Sequence, residues 1–508
     1  MAAGRLDADV IVVGAGSAGA AVARRLVDRG DLSVLLLEAG DDDTNPAIRD
    51  PGRSHELWHA AEDWDYLTVP QPHAAGRRLH WPRGRVVGGS SALNGMVWAR
   101  GAPADYDGWR AGGCAGWGWE DVLPLFIEIE DYDGGASPVH GTGGPVHVST
   151  LHEPAPVHRA IIDAAVEAGI PFNPDYNSGT LDGVSVTQLS VKDGERHGSS
   201  AAYLREVRES QRLRLLTGAQ AERVLLSGGH ASGVEWVRDG QRESARADVE
   251  VILCAGAIGS PELLLRSGVG PAPEIGRHGI ELAQELPGVG QNLHDHLLAP
   301  LVFSAEREIE ATPPGLPQLQ SHLFWRSRPD LPAPDMQPAH FDVPLYEEWM
   351  EGPANGFTLL AGMVRPASRG TLRLSGPHAG DRPLLDPQTL SEPSDHAVLV
   401  AAIELCREVG RAPALAAGWG ARELYPGPEA DLGDYARRAA ITYHHQVGTC
   451  RMGEDAGAVV DSRLRVRGIE RLRVADASVM PSVTCANTNA PTIMIAERAA
   501  RFFAEDHA

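Results

Sequence analysis

Two short stretches near the end of the chain hold the densest set of groups able to do chemistry. Tyr443-His444-His445-Gln446-Val447-Gly448-Thr449-Cys450-Arg451-Met452-Gly453 contains an HxxGTCxMG pattern, and Asn487-Thr488-Asn489-Ala490-Pro491-Thr492 follows it. Two imidazoles beside a Gly-Thr turn suit a base held over a reacting carbon. Alcohol oxidation needs such a base, which takes the hydroxyl proton while hydride leaves the carbon. On this reading His444 is the base, and Asn489 orients the substrate oxygen by donating a hydrogen bond. His445 is assigned to structure, because one ring alone is expected to face the reacting centre. Two core histidines bonded to backbone would give the same local pattern, so the remainder of the chain has to separate the readings.

The elements that must position these groups begin at the other end. Asp9 to Val13 is a β-branched run, expected as a strand buried on both faces. Gly14-Ala15-Gly16-Ser17-Ala18-Gly19 follows at once, then a helix over Ala20 to Arg29 and a second strand, Ser33 to Leu37, ending on Glu38. This is a dinucleotide-binding βαβ unit: Gly14 turns the chain, Gly16 admits a pyrophosphate, and Gly19 lets helix pack on strand. Phosphates would meet the helix N–H groups around Ser17 and Ala18, and Glu38 would accept from a ribose hydroxyl. A second glycine-rich loop, Trp81 to Gly95, contains Gly89 and Asn94 and could wrap an extended cofactor. The run Val249 to Cys254 enters a third turn, Ala255 to Pro261, with Pro261 suited to a helix start. Such repetition favours a cofactor bulkier than NAD. Asp476, at the end of a short strand, is either an acceptor for a ribityl chain or a turn cap.

Between these landmarks the spacing predicts helices over Glu120–Glu130, Val157–Ala168, Ser199–Ser210, Ala397–Val409, Leu432–Ala440 and Pro491–Phe503. Lys192 to His197 reads as a turn in a mobile surface segment. From about 300 to 440 prolines cluster and aromatics fall at irregular spacing, which marks a second domain, an antiparallel sheet with helices.

Composition bounds the function. A chain of 508 residues exceeds one ordinary core, and 43% hydrophobic with 22% charged residues describes a globular protein. A formal charge of −23 repels phosphate backbones, so nucleic acid is not an expected partner. The five cysteines are scattered without a CxxC pair, which indicates neither a metal site nor a disulfide framework and makes cytoplasm the expected location. Val10 to Ala23 reads as strand and turn, not a secretory leader, and no run approaches the roughly 20 apolar residues of a membrane span.

Taken in order, VGAGSAG at 13–19, GRVVGGSSALNGMVWARG at 84–101, GAIGSPELLLRSGVG at 256–270 and the two C-terminal blocks resemble the glucose–methanol–choline (GMC) oxidoreductases, the choline dehydrogenase-like flavoproteins. The resemblance implies an α/β fold: a doubly wound, Rossmann-like FAD-binding domain (1–155, 190–300 and 440–508). It also implies an interleaved α+β substrate domain (156–189 and 301–439) with a six-stranded antiparallel sheet. By motif position, His444 matches the base and Asn489 the family's second His or Asn. Gly14, Gly16, Gly19 and Glu38 match the ADP contacts, Asn94, Gly95 and Val97 the flavin and pyrophosphate contacts, Val224 the backbone contact to adenine, and Asp476 with Ala477 the ribityl region. Leu93 stands where some members carry a flavin-linking histidine, so FAD is expected without a covalent bond. The implied reaction is oxidation of a small-molecule alcohol by hydride transfer to flavin N5, with oxygen or another acceptor taking the electrons. A flavin-containing lyase is the alternative. Which alcohol remains open; Tyr443 and Trp58 would form an aromatic box if the substrate were a quaternary ammonium.

Overall fold

The computed structural model describes residues 6–508; residues 1–5 of the expected first domain lie outside the described part. Strand β1 (Ala8–Val13) is almost wholly buried, as its β-branched composition demands. It runs into helix α1 (Ser17–Asp28), which returns the chain to strand β2 (Val34–Leu37), parallel to β1 with Val10 opposite Val34. A long strand, β3 (Gln241–Leu253), lies on the other side of β1. Its end is parallel to β1, while its beginning closes an antiparallel meander with Gln220–Ser227 and His230–Arg238. Leu213–Leu216 flanks β2, and Leu472–Val474 flanks β3, both in parallel. Helix α2 (Gly256–Arg266) leaves the end of β3, and the C-terminal helix α3 (Asn489–Asp506) packs beside α1. The ends of β1 and β3 therefore deliver glycine turns, and the end of β2 delivers Glu38, to one edge of the sheet, where open α/β sheets bind their ligands.

The second sheet is antiparallel throughout, in the order 422–425, 297–304, 356–363, 339–341, 319–324 and 183–186. It has seven strands, not six, because the two-residue strand Ile441–Thr442 pairs with Leu297 and Leu298. That short pairing joins the His444 turn to the second sheet. Helices Pro156–Glu167 and Pro393–Arg411 cover the sheet, giving a core separate from that of the parallel sheet.

Two expectations change. Ser199–Ser210 is wound only over Ser200–Leu204, its start held by the Ser199 N–H on Ser91 Oγ and the Ser200 hydroxyl on Asp43. Helix α2 starts at Gly256, which places Pro261 inside it. Proline there cannot donate to the carbonyl of Ala257, four residues back. The Thr449 hydroxyl takes that carbonyl at 2.6 Å, so the Thr of the HxxGTC block repairs a helix nearly two hundred residues earlier in the chain.

Candidate active site

One cavity of about 1040 Å³ connects the glycine turn after β1 with the histidine pair, between the two sheets. Its nucleotide end is made of backbone. Gly14 has φ +98°, and a Cβ there would stand 2.6 Å from the Cys254 carbonyl. A Cβ on Gly19 would meet the Gly14 carbonyl at 1.8 Å, so Gly19 packs α1 onto β1 and does not line the cavity. Gly89 approaches Gly16 so closely that a Cβ on Gly89 would lie 2.6 Å from the Gly16 Cα. Helix α1 begins with no side-chain cap, leaving its first N–H groups for an anion. Glu38 lines this end with both oxygens on backbone donors, Ala15 N–H at 2.9 Å and Gly40 N–H at 2.9 Å. Burial nevertheless pushes its carboxyl up to about 7. These turns, the uncapped helix and the acid fit a dinucleotide.

The remaining cofactor candidates divide. Ser17, Ala18, Asn94, Gly95, Val97, Asp476 and Ala477 line the cavity. Asp476 also serves as a cap: it accepts from the Ser478 N–H at 2.8 Å, the Gly256 N–H at 2.9 Å and the Ser260 hydroxyl at 2.6 Å. Val224 does not line the cavity. Its N–H donates to Ser267 Oγ at 2.8 Å, and Ala219, Gln220 and Ala221, a few residues earlier, form the wall instead.

At the other end the pairing expected between His444 and Asn489 is replaced by another. Asn489 opens α3 and accepts the Ser17 hydroxyl at 2.8 Å, which places it at the nucleotide turn. The His444 ring turns edge-on to Trp58, with centroids 5.1 Å apart. No hydrogen bond joins His444 to Asn489 among the described residues. The groups that meet are His445 and Asn487: His445 Nε2 lies 3.3 Å from Asn487 Nδ2, and both residues line the cavity. The cause is local backbone. His444 has φ +67°, held by its N–H on Thr442 Oγ1 at 2.7 Å and by Arg83 Nη2 donating to its carbonyl at 2.7 Å. Asp295 grips the next residue, accepting from the His445 N–H at 2.7 Å, from Gln446 Nε2 at 2.8 Å and from the Thr442 hydroxyl.

His445, assigned to structure from the sequence, lines the cavity as well. Its Nδ1 faces His296 Nδ1 at 2.9 Å, and its ring stacks on Tyr443 at 4.7 Å. Burial holds the His445 imidazolium well below the usual range, with His296 adding to the effect. His444 is lowered to about 3 by burial, with Arg83 adding. The aromatic box expected of Tyr443 and Trp58 does not form as a pair: each ring is committed to a different histidine.

Two models of the GMC oxidoreductase family match residues 8–298 and 366–496. The chain belongs to this family. It is 39% identical to the alcohol dehydrogenase [acceptor] of Pseudomonas putida, with 97% of this chain and 95% of that one aligned. Identity to the mitochondrial choline dehydrogenase of Mus musculus is 39%, over 98% and 89% of the two chains. The crystal structure of a pyridoxine 4-oxidase from Mesorbium loti superposes with a TM-score of 0.94 at 37% identity, covering 99% of this chain and 100% of that chain.

In this GMC oxidoreductase, Asn487 and Arg83 line the cavity and Asp295 and His296 hold His445, and sequence reasoning passed over all four as candidates. Part of the signal was present. In an HxxGTC spacing the histidine stands three residues before the glycine, and three before Gly448 is His445. Gly448 is required there, because its φ is +93° and a Cβ would lie 2.5 Å from the Asn292 carbonyl. The Asn292-Leu293-His294-Asp295-His296 run carried the remainder, but nothing local connects it to a turn about 150 residues away in the chain.

Proposed function

We propose that the protein oxidises a small alcohol to an aldehyde or ketone with FAD, His445 acting as base and Asn487 sharing the substrate oxygen. The observation that carries this is the His445–Asn487 contact at 3.3 Å, inside the same cavity as the glycine turns. Bound FAD would supply the acceptor for the hydride, and oxygen or another acceptor would take the electrons onward. The relatives named as alcohol dehydrogenase, choline dehydrogenase and pyridoxine oxidase support a CH–OH donor.

The residues of this chain divide the remaining tasks. His445 must be neutral to accept a proton, and burial keeps it so. With His445 Nδ1 protonated toward His296, Nε2 carries the lone pair and accepts from Asn487 Nδ2, which a substrate hydroxyl would replace as its partner. Asp295, Thr442 and Arg83 fix the backbone that aims the ring. Gly14, Gly16, Ser17, Ala18, Glu38, Gly89, Gly95, Val97, Asp476, Ala477 and Asn489 would hold the cofactor. Leu93, buried among Ile48, Leu57 and Val86, offers no nucleophile for covalent attachment, so acid denaturation should release free FAD.

Anaerobic mixing of purified protein with a panel of primary, aryl and amino alcohols tests the reading. Loss of visible flavin absorbance with at least one alcohol is expected. Protein that stays colourless after incubation with FAD, or flavin that no alcohol reduces, would refute it.

A further inference from the structure

Arg196 contradicts its surroundings in the sequence. It ends the surface turn that Lys192 to Glu195 do form, yet its own side chain is buried. Its guanidinium passes behind the cavity wall and clasps two loops at once. Nε donates to the Ile48 carbonyl at 2.8 Å, and Nη2 to Ser54 Oγ at 2.5 Å. Nη1 donates to the Ser91 carbonyl at 3.2 Å, to the Asn94 carbonyl at 2.5 Å and to Asn94 Oδ1 at 2.7 Å. Every acceptor is neutral. No carboxylate pairs with Arg196 among the described residues, and burial alone lowers its guanidinium to about 9.

A buried charge without a counter-charge is costly, and neutral donors could satisfy the same oxygens at less desolvation. The charge therefore calls for an anion that the polypeptide does not supply. Asn94 shows where it would act. Its Oδ1 is occupied by Arg196 and by the Met96 N–H at 3.0 Å, which fixes the orientation of the amide. Asn94 Nδ2, with no protein partner among the described residues, remains for the cavity that Asn94, Gly95, Met96 and Val97 line. The cation polarises this amide, and low local dielectric strengthens the effect.

Building on the FAD reading above, we infer that Arg196 is a positioning residue that acts through the Asn94 amide. Its charge offsets the negative charge the FAD ring system gains on accepting two electrons. It thereby raises the electron affinity of the bound cofactor without touching substrate.

The test compares wild type, Arg196→Met and Arg196→Lys as FAD-loaded proteins, equilibrated anaerobically against a reference dye. In Arg196→Met the two-electron equilibrium should shift at least tenfold toward oxidised FAD, a potential lower by about 30 mV. Arg196→Lys, which keeps the charge, should recover most of the shift. An unchanged potential in Arg196→Met, or an equal loss in Arg196→Lys, overturns the inference. Should Arg196→Met fail to fold, Arg196→Gln keeps N–H donors for the same oxygens while removing the charge, and must lower the potential likewise; an unchanged value there also overturns it. A wild type that binds no FAD would defeat the FAD reading and this inference together, and is recognised by its lack of colour.

Discussion

At the nucleotide end of the cavity the load falls on backbone, and at the reacting end on side chains. Gly14, Gly16, Gly19 and Gly89 act by what they lack, since a Cβ on Gly14, Gly19 or Gly89 would strike backbone within 3 Å. His445 acts by what surrounds it: its neighbour Tyr443, with Asp295 and His296 and then Asn487 brought in from two other segments of the chain. The first kind of site should fail sterically and all at once. The second should lose chemistry while the fold survives.

The sharpest contrast is Gly19→Val. With backbone 1.8 Å from the new Cβ, α1 cannot pack on β1, and no soluble FAD-loaded protein is expected. Recovery of normally coloured protein would break the comparison at its strongest point.

Acid should then separate the two halves. Burial lowers His158, His296 and His322 to about 3; His322 lies in the antiparallel sheet, His158 bonds Ser321 of the same strand, and His296 directly precedes the Leu297–Ser304 strand. In the unfolded chain these groups titrate near 6.5, so unfolding takes up protons below that value. The stability they contribute is full above pH 6.5 and is lost as pH falls toward the folded values, by up to about 1.4 kcal/mol per pH unit for each. Glu38 has the opposite sign. Its carboxyl is raised, so its contribution is full below the unfolded value and is lost as pH rises through about 7. Hydrogen exchange between about pH 7 and 5 should therefore open residues 297–304 and 319–324 before β1 and β2. Simultaneous opening would contradict this.

Within the reacting end, the two adjacent histidines should part company. His445→Ala is expected to slow single-turnover flavin reduction by about 10² or more, and His444→Ala by less than about tenfold. The reverse order would return the base to His444. The rate in wild type should also hold to pH values below the ordinary histidine range, because burial keeps His445 neutral there.

The smallest effect joins the two ends. Thr449→Val leaves the Ala257 carbonyl without its hydroxyl partner, at a cost of about 1–3 kcal/mol read by urea unfolding, with FAD still bound. No change would mean that the carbonyl finds another donor.

Much of the nucleotide end was legible, because it is written in consecutive residues. A β-branched strand, a GxGxxG turn and an amphipathic helix each follow from local sterics and periodicity, and their observed bounds lie close to those expected. Val224 came from motif position alone, which cannot tell which backbone groups near one strand face a cavity and which meet Ser267; Ala219 to Ala221 line the cavity instead. The seventh strand of the second sheet departs from the six that the resemblance implied, and two residues carry no periodicity by which the sequence could show it.

The sequence alone determined that a dinucleotide unit opens the chain, that Gly448 and Thr449 form a constrained turn, and that a histidine and an asparagine stand ready near its end. Only the tertiary structure decided which histidine and which asparagine meet. Neighbouring side chains on an irregular turn have no fixed direction until φ at His444 is set, and that angle is held by Arg83 while Asp295 grips the residue after it. The burial of Arg196 was hidden for the same reason: charged side chains are expected in water until distant carbonyls are shown to receive them.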